Sequence, residues 1–334
     1  MLNIKYPVIQ APMAGGIIPP DVAAAISNAG CLGSIAAGGL SITELESQIG
    51  TVHALTRSPF QVNLFANDYP EPYAIAAINK ELNTIRQRLG IPVIESYSFT
   101  TAEPLESYVD LCIQYKVPVV SFTFGCPTPS LVDKLHDAGV TIMGTISTVG
   151  EALRMRNLGI DIVIAQGYEA GGHKGGFTDS PSIGLMALVP QVVDAIDLPV
   201  VAAGGISDRR GVQAAILLGA DYIQAGTRFL NTFESTAHPL HKAAISRAYE
   251  TDALYTSAFS GKTARGIRNQ MMDKLSHLEI PPYPYMNIMT KDIRAAAKNQ
   301  QQVDFMSNWS GQNIRSSETQ SISCVIAELT ASFR

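Results

Sequence analysis

A chain of 334 residues, 46% of them hydrophobic, with a formal net charge of −5, suits one large α/β domain with additions. The mildly acidic balance, with no basic cluster, argues against a nucleic-acid partner. No apolar run reaches the length of a membrane span. The start MLNIKYPVIQAPM has one early Lys and no apolar signal region, so a cytoplasmic enzyme without a membrane partner is expected.

Short β-branched apolar runs recur, each followed by helix-like sequence, as strands buried on both faces require. Strands are expected at 6–13 (YPVIQAPM), 31–37 (CLGSIAA), 60–66 (FQVNLFA) and 118–124 (PVVSFTF). Four more are expected at 141–147 (TIMGTIS), 161–167 (DIVIAQG), 199–205 (PVVAAGG) and 221–229 (DYIQAGTRF). PDVAAAISNAG opens on Pro20 and Asp21 and stops at Gly30. STVGEALRMRNLG has Ser147 or Thr148 as its cap and stops at Gly159. SDRRGVQAAILLG has Ser207 or Asp208 and stops at Gly219. Residues 67–117 exceed one helix and are expected to hold two.

Alternation of this kind implies a closed (β/α)8 barrel or a doubly wound sheet. No GxGxxG follows the first strand, which weakens the dinucleotide-binding alternative. The expected fold class is α/β, a (β/α)8 TIM barrel over residues 1–250 with an additional C-terminal helical cap region. Residues 251–310, richer in Pro, Tyr, Met and Asn, are expected to form that cap beside the barrel mouth. Residues 311–334 end in a helix, SISCVIAEL, expected to pack back on the barrel.

In such barrels the active site lies at the C-terminal strand ends. The first strand delivers Ala11, Pro12 and Met13 there, and the third delivers Asn63. The sixth delivers Gln166 and then QGYEAGGHKGGF, in which glycines strip the bulk from around His173. The seventh delivers Gly204 and Gly205, and the eighth Gln224, Ala225, Gly226 and Thr227. Paired glycines before a helix start let backbone N–H groups approach an anion, so the last two loops are expected to hold a phosphate. A lone loop histidine can be a solvated structural residue or a proton-transfer group.

The four cysteines, Cys31, Cys112, Cys126 and Cys324, have no metal-ligand spacing. Cys126 could be a nucleophile, but with no base adjacent in sequence a packed thiol is the expectation. His238 and His241 lack a further ligand set, and no metal is expected. His53, His136 and His277 are expected at the surface. Glu169 could orient neighbouring groups or form a salt bridge. Tyr283 and Tyr285 could line the pocket or anchor the cap. Lys262, Arg265 and Arg268 are expected as a structural or rim charge cluster.

QAPMAGG, QVNLF, QGYEAGGHKG, VVAAGGI, QAGTRFLNTFES, SGKTARGIRN and WSGQ together resemble the nitronate monooxygenase family, formerly 2-nitropropane dioxygenases, from about residue 5 to the end. EAGGH and AAGGI are also similar to flavin-dependent enoyl-acyl-carrier-protein and quinone reductases. The resemblance implies a TIM barrel holding FMN without a covalent link. Ala11, Pro12 and Met13 would lie against the ring system, and Asn63 and Gln166 would bond its polar edge. Gly171, Gly204, Gly205, Gln224, Ala225, Gly226 and Thr227 would form the phosphate rim. His173 would act as the catalytic group, abstracting an α-proton or orienting a nitronate. Molecular oxygen would complete oxidation of alkyl nitronates, such as propionate 3-nitronate, to a carbonyl product and nitrite, with detoxification as the role.

The alternatives are an FMN-dependent NAD(P)H reductase of enoyl thioesters or quinones and a non-redox phosphate-binding lyase or isomerase. The oligomeric state stays open, a homo-oligomer included. Gly176 departs from the family's usual Ser after the HxG unit, and GQNIRSSETQ is polar where an alanine-rich helix is usual.

Overall fold

Each expected strand run becomes one parallel strand. β1 is Val8–Gln10, β2 Gly33–Ala36, β3 Phe60–Phe65 and β4 Val119–Thr123. β5 is Thr141–Ile146, β6 Ile162–Gln166, β7 Val200–Ala203 and β8 Tyr222–Ala225. Neighbours pair in the order β1-β8-β7-β6-β5-β4-β3-β2, and a parallel bridge from Ile9 to Leu32 closes the ring. The result is a (β/α)8 TIM barrel. The computed structural model describes residues 1–67, 70–99, 103–316 and 318–333. Parts of the stretch 67–117 and of GQNIRSSETQ, namely residues 68–69, 100–102 and 317, lie outside the described residues, as does residue 334.

Side chains alternate across each strand, so each one feeds two cores. Ile9, Val119, Met143, Ile162, Ile164, Val201 and Tyr222 fill the lower barrel interior. Val8, Val120, Ile142, Val163, Val200 and Ile223 point outward into the layer shared with the helices. Continuing the inward alternation upward replaces apolar residues by Asn63, Ser121, Thr123, Thr145, Gln166 and Gln224. The barrel therefore ends in a polar layer at its C-terminal mouth.

The start and stop signals act locally as expected. Thr148 caps the helix Val149–Leu158, which ends at Gly159 in the left-handed conformation. Asp208 caps Arg209–Leu217 by accepting from the N–H groups of Arg210 and Gly211. The eighth strand is shorter than expected, since Thr227–Leu230 turns into a short helix after Gly226. The stretch after β3 holds two helices, Ile75–Arg88 and Leu105–Gln114. Only the second joins the barrel layer.

The cap departs from a purely helical reading. Ala253–Thr256 and Ala264–Ile267 form an antiparallel hairpin, and Gly172–His173 adds a third strand to it. Behind it, Phe259, Met271, Met286, Met289, Ile293 and Phe305 share a second core with Ile78, Leu82 and Ile85 from the first helix after β3. Buried Arg86 ties the two segments, pairing with Asp292 and donating to the carbonyl of Met289. The helix Ile322–Leu329 packs Val325, Ile326 and Leu329 into the barrel's outer core. Among the described residues no helix is long and apolar enough to cross a membrane.

Candidate active site

His173 stands where the small sheet meets the barrel mouth. Its backbone pairs with Ala264, and Lys174 N–H donates to the carbonyl of Thr263 at 2.8 Å. The imidazole Nε2 lies 2.8 Å from Ser260 Oγ. Phe124 meets the ring edge-on at 5.6 Å between centroids, and Trp309 lies at 5.5 Å. Burial pushes the His173 pKa down to about 4, and the positive charges of Lys262 and Arg294 act in the same direction. The imidazole is therefore neutral at physiological pH and able to accept a proton.

Gln166 anchors the same loop. Its Nε2 donates to the His173 carbonyl at 3.1 Å, and its Oε1 accepts from Gly175 N–H at 2.6 Å. Asn63 donates to Ser121 Oγ and Thr123 Oγ1, both at 2.9 Å. The structure thus brings Asn63, Gln166 and His173 to one mouth and adds Ser121, Thr123, Thr145, Ser260 and Trp309. The first three are visible as polar residues at inward positions near strand ends. Ser260 and Trp309 open the SGKTARGIRN and WSGQ motifs, but nothing local to either marks it as a partner of His173.

The rim formed by β7 and β8 is compact. Gly204 and Gly205 have φ of +127° and +68°. A Cβ on Gly204 would lie 3.2 Å from the Ala170 nitrogen, so glycine is needed for both backbone angle and space. Ala11 joins this rim through its N–H to the carbonyl of Ala225, and a Cβ on Gly226 would sit 3.6 Å from Ala11 Cβ. Met13 packs into the core beside it, and Pro12 is half-buried between them. Gly171 makes its close approach to other backbone, since a Cβ there would come within 2.4 Å of the Gly311 nitrogen.

That crossing seats a segment the sequence reading did not single out as part of the rim. Gly311 N–H donates to Thr227 Oγ1 at 2.9 Å, Gln312 N–H to the carbonyl of Glu169 at 2.9 Å, and Asn313 Nδ2 to the carbonyl of Gly205 at 2.8 Å. Gln224 Oε1 is buried with no hydrogen-bond partner among the described residues. A buried acceptor left so is costly unless a ligand supplies a donor.

Other candidates separate by role. Glu169 forms no ion pair among the described residues; both its oxygens accept from Leu185 N–H at 2.9 Å, at the start of the helix Leu185–Ala195. Arg265 is buried, donating to the carbonyls of Ala253 and Tyr168 between the rings of Tyr168 and Tyr255. Arg268 pairs with Asp273 at the surface, while Lys262 lies 4.5 Å from the Phe124 ring centre. The expected charge cluster is therefore split, and only Lys262 faces the site. Tyr283 stands beside Phe65 and Phe124 at the mouth, whereas Tyr285 packs on Phe99 in the cap. Cys126 lies 3.8 Å from Met155 Sδ, and burial raises its pKa, which fits a packed thiol.

His136 and His277 are exposed. His53 is only half-buried at the surface, because its Nε2 reaches the carbonyl of Tyr115 and its ring meets Phe60. His238 caps the helix Pro239–Arg247, and buried His241 bonds the carbonyl of Trp309. Among the described residues no group of three potential ligands could hold a metal.

Gly176 has a steric reason. A Cβ there would lie 2.3 Å from Ser147 Oγ and 2.7 Å from Glu151 Oε2. Gly176→Ser is expected to cost about 1–3 kcal/mol through overpacking, with part recovered by adding Ser147→Ala. Denaturant midpoints of the single and double variants check it, and an unchanged midpoint for Gly176→Ser would show slack in the loop.

Burial also holds His241 down at about 4, against the opposing pull of the Trp309 carbonyl. The unfolded chain takes up protons on both histidines near 6.5, while the folded chain resists until about 4. Protons therefore favour unfolding in that window. Stability is expected to fall as pH drops from 6.5 toward 4, by up to about 1.4 kcal/mol per pH unit for each histidine. Urea titrations across this range measure the slope, and His241→Gln should make it shallower.

Residues 1–332 match the family model for nitronate monooxygenase. A probable nitronate monooxygenase of Bacillus subtilis (strain 168) is 46% identical over 324 residues, covering 94% of this chain and 92% of the relative. One from Staphylococcus haemolyticus (strain JCSC1435) is 41% identical over 340 residues, covering 98% and 94%. Among solved structures, a nitroalkane oxidase from Streptomyces ansochromogenes superposes with a TM-score of 0.93 at 34% identity, covering 98% of this chain and 95% of that one. FabK from Thermotoga maritima superposes with a TM-score of 0.78 at 28% identity, covering 99% and 94%. With the family model spanning nearly the whole chain and relatives this close, the chain belongs to the nitronate monooxygenase family of flavin-dependent oxidoreductases.

Proposed function

We propose that the protein binds FMN at the β7–β8 rim and oxidises alkyl nitronates with molecular oxygen to a carbonyl product and nitrite. The observation carrying this reading is a neutral imidazole, His173, facing a mouth that holds two cations engaged in no ion pair among the described residues. Lys262 rests on Phe124. Arg294 donates to Thr290 Oγ1 and to the carbonyl and side-chain oxygens of Asn287. Neither is ion-paired among the described residues. Burial lowers the pKa of both, opposed only in part by the charges of Glu151 on Lys262 and Asp292 on Arg294, so an anionic substrate would relieve a desolvated positive field. A nitronate bearing a carboxylate, such as propionate 3-nitronate, fits that charge best.

The rim residues fit the cofactor. The orphaned Gln224 Oε1 awaits a donor. Thr227 Oγ1 accepts from Gly311 N–H and keeps its own O–H to donate to a phosphate oxygen. The glycines at 204, 205 and 226 keep side-chain bulk off this rim. When bound, the flavin supplies the electron transfer that the side chains lack. Ala11, Pro12 and Met13 would flank its ring, Asn63 and Gln166 would hold its polar edge, and Gly171 with Ala225 would shape the rim.

His173 holds the nitronate by its ring nitrogen, or takes the α-proton of a neutral nitroalkane. An imidazole held near 4 is a weak base, so the ionised nitronate is the better substrate. Its negative charge offsets Lys262 and Arg294 and strengthens the imidazole contact. The rings of Phe124, Tyr283 and Trp309 limit water at the reacting carbon.

Anaerobic mixing of the FMN-loaded protein with propionate 3-nitronate, and separately with NADH or NADPH, tests this. A flavin absorbance change with the nitronate alone, and nitrite release once oxygen is admitted, is expected. Bleaching by a nicotinamide with no response to nitronate would place the chain with the reductases. A protein that retains no flavin would favour the non-redox barrel.

A further inference from the structure

Glu151 is fully buried, and none of its hydrogen-bond partners is His173 or a residue of the glycine rim. It lies in the first turn of the helix Val149–Leu158. Its Oε2 accepts from Ser147 N–H at 2.6 Å and Ser147 Oγ at 2.9 Å. This half resembles an ordinary helix start. The other half does not. Oε1 accepts from Phe177 N–H at 2.8 Å, Thr178 N–H at 2.7 Å and Thr178 Oγ1 at 2.6 Å, from a segment 26 and 27 residues along the chain.

These bonds grip the far end of the loop that carries His173. The near end is gripped by Gln166 and by the Phe124 N–H bond to the Gly175 carbonyl at 2.8 Å. Between the two grips, Gly175 and Gly176 press against the barrel mouth, where a Cβ would meet Thr145 Cγ2 at 2.6 Å and Ser147 Oγ at 2.3 Å. Two successive glycines would otherwise leave this backbone free. We propose that Glu151 is a positioning residue for His173, acting through the loop Gly175–Thr178, which its carboxylate clamps to the start of the helix Val149–Leu158. The role assigned to His173 rests on the function proposed above.

The chemistry of the clamp requires a carboxylate. Three of its five partners are main-chain N–H groups, which can only donate. An ionised carboxylate is acceptor-only on both oxygens and suits all of them. A glutamine of the same shape would turn an NH2 toward either Ser147 N–H or the Phe177 and Thr178 N–H groups, and one half of the clamp would open. Hydrogen bonds from Thr178, Ser147 and Phe177 hold the Glu151 pKa down despite burial, consistent with a charged clamp.

The test is Glu151→Gln in the FMN-loaded protein, alone and combined with His173→Ala. Amide hydrogen exchange at 175–178 is expected to quicken by about 100-fold, and the His173 imidazole NMR signal to shift or broaden. Turnover of a neutral nitroalkane per bound flavin should fall by about 10–100-fold with KM changed by less than about threefold, the scale expected when a reacting group is displaced by about 1 Å. Added to His173→Ala, the same change should cost less than about twofold, because the group it positions is gone.

A lower Tm with exchange and per-flavin turnover unchanged would overturn the proposal. So would an equal loss in both backgrounds. If Glu151→Gln does not fold, Thr178→Val, which removes one side-chain donor, carries the same cycle with an expected loss of about 3–10-fold. If the parent turns over no nitronate, the functional reading fails, and the exchange and imidazole measurements alone decide whether Glu151 holds His173.

Discussion

His173→Ala is expected to retain FMN and lose turnover by about 10²–10³-fold on neutral nitroalkanes, the range of a removed general base, against about tenfold on preformed nitronates. The asymmetry follows from the two tasks open to the imidazole. A neutral nitroalkane must surrender a carbon-bound proton, and the neutral imidazole of His173 is the base proposed to take it. A preformed nitronate needs only an oriented contact, and Lys262 and Arg294 continue to attract it. Retention of FMN is expected because the imidazole contacts Ser260, Phe124 and Trp309 on the cap side, away from the Gly204–Gly205 and Gly226–Thr227 rim. Steady-state rates on a nitroalkane and its pre-ionised nitronate, with flavin content measured by absorbance, check it. Equal losses on both substrates would remove His173 as the carbon-proton base.

Lys262→Met should act on a different property. It preserves most of the stem over Phe124 while deleting the ammonium. KM for propionate 3-nitronate is expected to rise by about 10–100-fold, the range for a lost charge-assisted contact. KM for an uncharged-tail nitronate, such as ethyl nitronate, should change by less than about threefold. Arg294→Met should show the same selectivity, with some loss of stability, since Arg294 also holds the Asn287 carbonyl. Removing either cation should also let the His173 pKa rise, because both push it down. A uniform rise in KM on both substrates would assign these cations to general electrostatics rather than to a carboxylate. An unchanged KM on both would remove them from the substrate site.

Much of the architecture was legible in the sequence because its causes are local. Strands buried on both faces must be apolar at consecutive positions, so all eight runs stand out. Helix ends announce themselves through residues that meet their own unsatisfied backbone, as Thr148, Gly159 and Asp208 do. Gly204 and Gly205 were legible for the same reason, since positive φ and close approach demand glycine where they stand. The glycine-rich surroundings of His173 marked it for attention, and the family resemblance suggested the role proposed for it.

What the sequence left undecided depends on partners far along the chain. Gly172–His173 becomes a strand only because Ala264 and Arg265 arrive beside it. Ser260 meets His173 across 87 positions, and Glu151 meets Phe177 across 26. Ile75–Arg88 packs into the cap core instead of the barrel through Ile78, Leu82 and Ile85, with Arg86 paired to Asp292 206 residues away. The cap hairpin was read as helical because a short edge pairing has no period long enough to show against Pro- and Met-rich surroundings. Barrel closure brings the strand ends into one ring, and only that convergence fixes which polar groups meet above it. The sequence by itself determined the barrel and its glycine-lined mouth. The tertiary structure decided which groups hold the histidine there, because hydrogen bonds between distant segments leave no pattern along the chain.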